Sequence, residues 1–132
     1  SQSAARVFRN TSTQALSGST KIEFNGETYD IQGEFDSATN YRFTATATGK
    51  YLVSASINIT SPAAAPKTSI FKNGGEVALT QARSTGSGVS HAIFDVMSLT
   101  ATDYIEIFVN AGASGTVVNG TDTTFLSIHK VA

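Results

Sequence analysis

The 132-residue chain carries 9 basic and 10 acidic residues for a net charge of -1, and its 40% hydrophobic content is enough to bury the core of one domain. That balance gives no electrostatic footprint for a phosphate backbone or an anionic lipid surface, so neither nucleic acid nor membrane is expected as a partner. The absence of cysteine excludes disulfide frameworks and thiolate metal sites while leaving the compartment open.

Residues 1–4 are small and polar and read as a flexible end or stalk junction, with a single domain over residues 5–132. The opening SQSAARVFRN lacks the basic and apolar regions of a signal peptide, so the chain reads as a mature or excised segment. A first short strand is expected around residues 6–9, followed by a Ser/Thr/Gly-rich loop over 10–20 with at most one pairing segment. Ile22 and Phe24 then alternate with Lys21 and Glu23, and Asn25-Gly26 predicts a tight hairpin turn into residues 28–31.

The clearest periodicity follows. Tyr41, Phe43 and Ala45 alternate with Arg42, Thr44 and Thr46, and after Gly49 the apolar Tyr51, Val53, Ala55, Ile57 and Ile59 alternate with Ser54, Ser56 and Asn58. Both are half-buried strands of period two. Residues 61–66, SPAAAP, hold both prolines and predict an exposed connection. A strand, an Asn73-Gly74 turn and a second strand make a hairpin, and residues 84–88, STGSG, read as a flexible tip. The segment 89–99 is apolar on both parities, residues 104–109 alternate again, 111–116 form a Gly-rich loop, and a last strand runs over 125–131. No helical period occurs anywhere. About ten short strands spaced by turns predict an all-β antiparallel sandwich.

The order Phe24, Asp30, Phe35, Phe43, Gly49, Tyr51 resembles the C1q-domain signature, with Phe43, Gly49 and Tyr51 in register. Three later sites add to the resemblance: the Lys72-Asn73-Gly74 turn, the turn over 99–105 with Asp103 matched and Thr102 where glycine is expected, and Phe125-Leu126 in the last strand. The chain departs from the pattern in one extra residue between Phe35 and Phe43, in Val53 and Ala55 standing where aromatics are expected, and in Asp122 and Thr124 near the end. What the resemblance implies is a ten-stranded jelly roll of the C1q and tumour-necrosis-factor type, from a divergent bacterial or viral-type relative. It further implies assembly as a homotrimer with the first and last strands near the three-fold axis, placed extracellularly, at a cell surface or on a virion.

Three functions follow from different classes. The leading one is a non-enzymatic trimeric head that holds a fibrous or surface protein in register and presents loops to a ligand, protein or glycan. The second is a monomeric β-sandwich carbohydrate-binding module, for which Tyr29 and Tyr104 are the aromatic candidates in a chain without tryptophan. The third is a small hydrolase, but His91 and His129 fall in strands, and no Gly-x-Ser-x-Gly elbow is present, so no catalytic residue is assigned. Glu27, Asp30, Glu34 and Asp36 cluster without EF-hand spacing and read as solvated turns. Some members of the resembling family hold calcium, yet no ligand set maps onto this chain and no cofactor is assigned.

A trimer interface is expected from the segment 89–99. A strand apolar on both parities needs cover on both. Because Asp95 shares the odd parity, Phe94 and Val96 are expected to face the core, and Ile93, Asp95 and Met97 the neighbouring chain. The same test sends Arg42 outward, and likewise Phe125, Ser127 and His129. The expected interface is therefore an Arg42, Asp95 and His129 network surrounded by Phe8, Ile93, Met97 and Phe125.

Overall fold

Residues 49–60 keep their alternation in three dimensions. In the computed structural model, which describes residues 2–83, 85–86 and 88–132, they form one continuous strand whose Tyr51, Val53, Ala55, Ile57 and Ile59 are all buried at 0–1% exposure. Their side chains point to one side of a pleated strand, and that side is the interior. The strands in order are β1 (Ala4–Phe8), β2 (Gln14–Leu16), β3 (Ser19–Lys21), β4 (Gly26–Asp30), β5 (Phe35–Asp36), β6 (Arg42–Thr44), β7 (Gly49–Thr60), β8 (Lys67–Lys72), β9 (Gly75–Gln81), β10 (Gly88–Leu99), β11 (Tyr104–Asn110), β12 (Gly115–Val117) and β13 (Phe125–Lys130). Five of them have two or three residues, which is how the expected ten become thirteen among the described residues.

Two antiparallel sheets result. In the seven-stranded sheet, β10 flanks one edge of β7 along its whole length, while β13 and then β12 lie end to end along the other. Beyond β13 come β1 and β4, and beyond β12 comes β2. The six-stranded sheet runs β5-β6-β11-β8-β9, with β3 beside β11 past the end of β6. The inward columns of the two sheets meet in one core, where Phe43 of the small sheet packs edge-on against Tyr51 of the large one at 5.9 Å. The Tyr51 hydroxyl donates to the Ala47 carbonyl at 2.7 Å, so the ring is buried without an unpaired polar atom.

Several local expectations change. Asn73-Gly74 is a hairpin turn, with φ of 51° and 84° and Lys72 paired to Gly75. Asn25-Gly26 is not, because β3 pairs with β11 in the small sheet while β4 pairs with β1 in the large one, so residues 22–25 carry the chain across the sandwich. Gly26 is required for another reason: a Cβ there would lie 2.7 Å from the Phe8 ring. The end read as flexible contains residues of the fold, since Ser3 is buried with its hydroxyl on Glu34 at 2.5 Å and Ala4 opens β1. The connection over 61–66 stands, but Pro62 and Pro66 are buried. Of the tip over 84–88, Ser84 and Ser87 lie outside the described residues.

Thr102 adopts a φ of 83° in the turn between β10 and β11, where its amide donates to the Ala45 carbonyl at 2.8 Å. Asp103 supports the same turn by accepting from the Thr100 amide at 2.8 Å and from the Asn73 side chain at 2.8 Å. A β-branched residue in the left-handed region costs about 1–2 kcal/mol, against roughly 0.5–1 kcal/mol of unfolded-state entropy that a glycine would add. Thr102 is exposed, so its side chain contributes little packing. Thr102→Gly should therefore raise stability by about 0.5–1 kcal/mol and Tm by roughly 3 °C, measured by thermal unfolding; a lower Tm would show that the turn carries no strain.

Candidate functional site

The register of the large sheet determines which side chains share its outer face. Ala92, Ser56, Phe125 and Phe8 form one cross-strand row, Phe94, Ser54, Ser127 and Arg6 the next, and Val96, Leu52, His129 and Ala4 a third. No carboxylate side chain occupies the outward parity of β10, β7, β13 or β1. Phe94 is 74% exposed and Val96 53%, so the single chain leaves two large apolar groups in water on this face. Arg6 lies over the Phe125 ring at 4.4 Å and donates to the Thr28 hydroxyl and the Thr121 carbonyl. This cation–π contact shields one ring and keeps the guanidinium without a carboxylate partner among the described residues.

The sequence-expected interface is partly brought together. Phe8, Phe125 and His129 lie on this outer face, and Leu126 and Ile128 are in the core as expected. In β10 the parity is the reverse of the expected one. Ile93 is 2% exposed inside the chain's own core, Met97 packs against that core, and Phe94 and Val96 face outward. Asp95 shares the inward parity yet is exposed, because β10 has a neighbour on only one side and the sheet margin lets a short carboxylate reach water. Its carboxylate accepts from the Val96 amide at 2.9 Å. Arg42 belongs to the other sheet, where it stacks over Tyr104 at 4.2 Å. Arg42, Asp95 and His129 therefore do not share a surface, and the expected charge network does not form on one face.

The acidic cluster is engaged locally. Asp30 accepts from the amides of Glu34 and Phe35, and Glu34, buried, accepts from Ser3 and from the amide and hydroxyl of Thr46. The amides of Ala38, Thr39 and Asn40 hold the Asp36 carboxyl below its usual value. At Asp103 the Asn73 side chain does the same, followed by the Thr100 amide and then Lys72. Among the described residues no three His, Asp or Glu side chains gather as a metal site would require.

The sequence matches no established protein-family profile and no curated protein. Solved structures do match. The Eiger TNF of S. frugiperda superposes with a TM-score of 0.79 at 15% identity over 99% of this chain and 93% of that one. Murine APRIL gives a TM-score of 0.78 at 15% identity over 99% and 100%, and the globular domain of the zebrafish complement 1qA protein 0.73 at 16% over 98% of each.

His91 supplies a pH test of the packing. Its Nδ1 is 3.0 Å from the Thr68 hydroxyl, between β10 and β8, and burial pushes the imidazole below its ordinary value of 6.5. As pH falls below 6.5 the unfolded chain takes up this proton before the folded one, so stability is complete above that value and is lost down to the folded value. Urea midpoints should decline from about pH 7 to about pH 5 in the wild type, and His91→Gln should flatten that decline. An unchanged slope in the variant would remove His91 from the account.

Two stacked antiparallel sheets, an inward column shared between them and full-length superposition on these structures make the fold a C1q/TNF-like jelly roll.

Proposed function

We propose that this chain is a non-enzymatic, trimer-forming head domain of a fibrous or surface protein located outside the cell or on a virion, with its loops directed to a ligand. The observation that carries the reading is the outer face of the large sheet, where β10, β7, β13 and β1 present no outward carboxylate and Phe94 and Val96 are exposed beside small Ser54 and Ser56. Such a face accepts a closely packed second chain, and cyclic symmetry is the usual way for identical chains to bury one. The resemblance in sequence to C1q domains points the same way. Support for a non-catalytic role comes from the histidines: neither lies within ion-pair distance of a carboxylate among the described residues, and His91 is engaged with Thr68.

The interface proposed here replaces the sequence-derived one. Phe94, Val96, Leu52, Phe125 and Phe8 form its apolar surface, with Arg6 and His129 on the same face. Light scattering at micromolar concentration should return three times the 13.8 kDa chain mass. Phe94→Asp should return one chain mass with an unchanged far-ultraviolet spectrum, since it would place an unpaired carboxylate in the contact. A wild-type mass of a single chain would rule the assembly out, and a trimer that survives Phe94→Asp would move it to another surface.

A further inference from the structure

The outer face of the small sheet holds a groove of about 230 Å³ that plays no part in the proposed assembly. Its middle is aromatic: Phe71 of β8 and Phe108 of β11 meet with ring centroids 4.2 Å apart and planes tilted by 38°. Leu79 of β9, 49% exposed, forms one apolar wall. Around these rings the polar groups are of mixed kind. Ser69, 5% exposed, donates to Glu76 Oε1 at 2.6 Å and leaves the other carboxylate oxygen available. Among the described residues Lys67 has no side-chain hydrogen bond, and Asn110 uses only its Oδ1, which accepts from the Gly112 amide. The neighbouring Lys21 and Glu106 are already paired with each other at 2.9 Å.

We propose that this groove binds a neutral saccharide, one sugar ring at a time. The volume lies below the roughly 300–1,000 Å³ typical of drug-sized ligands, which suits a single ring. A net anion would meet Glu76, and a net cation would meet Lys67. A group that presents an apolar C–H face to the Phe rings and hydroxyls that both donate and accept satisfies the two charges and the free amide together. A sugar ring has that chemistry. The site is built entirely within one chain on the sheet opposite the proposed trimer face, so its occupancy does not depend on the oligomeric state.

The test is an amide chemical-shift titration of the isotope-labelled full chain with methyl α-glucoside, methyl β-galactoside, methyl α-mannoside and N-acetylglucosamine. At least one should give saturable shifts at Lys67, Ser69, Phe71, Leu79, Phe108 and Asn110, with a Kd in the millimolar range. Phe108→Ala should weaken binding about tenfold through lost stacking. Glu76→Gln, at an exposed position, serves as the variant that keeps the fold and should also weaken binding several-fold. The monomeric Phe94→Asp protein should bind as the wild type does, which separates this test from that of the assembly. Failure of every sugar to saturate, saturable shifts confined to another surface, or unchanged affinity in both groove variants would overturn the proposal.

Discussion

The inward column of β7 is the constraint on which the other strands depend. Five side chains at 0–1% exposure sit at alternate positions of a single strand, and both of its long edges are paired, by β10 on one side and β13 on the other. A slip of one residue in either partner would turn its apolar set to water, so the column dictates parity across the sheet. Ser54 and Ser56 are outward because Val53 and Ala55 are inward, and Phe94 and Phe125 are outward because they pair with those serines. The exposed apolar face is thus a consequence of how the core is filled.

Period two was enough to read the sandwich, because alternation is a property of each strand taken alone. Asn73-Gly74 was legible for the same reason: the turn chemistry is local, and the two residues take the positive angles that the hairpin needs. Asn25-Gly26 carried the same two letters with a different outcome, since its flanking strands pair in different sheets and a dipeptide does not encode its strands' partners. The parity of β10 failed on a related point. Excluding an unpaired carboxylate from the interior is sound for a central strand, but β10 is an edge strand, and Asp95 reaches water from the inward side. Edge position is a property of topology, and no residue of β10 announces it.

The Phe71–Phe108 pair illustrates the same limit from the other direction. The two residues are 37 positions apart in the sequence, and they become neighbours only because Phe108 pairs with Ser69, one pleat along the strand from Phe71. Read singly, neither residue names its neighbour. Tyr29 and Tyr104 are the aromatic candidates that the sequence offers, yet Tyr104 lies beneath the Arg42 guanidinium and Tyr29 sits on the far sheet. An aromatic platform is a feature of cross-strand geometry, so its members need not look exposed in their own strands.

Charge placement separates the two outer faces. The carboxylates of Asp30, Asp36 and Asp103 serve turns, where each accepts backbone amides, and Glu34 is buried against Ser3 and Thr46. Those carboxylates hold the loops and leave Lys50, Arg6 and His129 as the outward ionisable groups of β10, β7, β13 and β1 on the large sheet. The small sheet keeps its outward acids, Glu76 and Glu106, beside lysines and aromatic rings. A face without acids and with bare apolar side chains suits burial against another chain, because little must be desolvated. A face with spaced charges around a ring pair suits a small polar ligand, because the charges stay hydrated until hydroxyls replace the water. The proposed assembly on one side and the proposed recognition on the other are compatible because the core between them fixes both sets of outward residues independently.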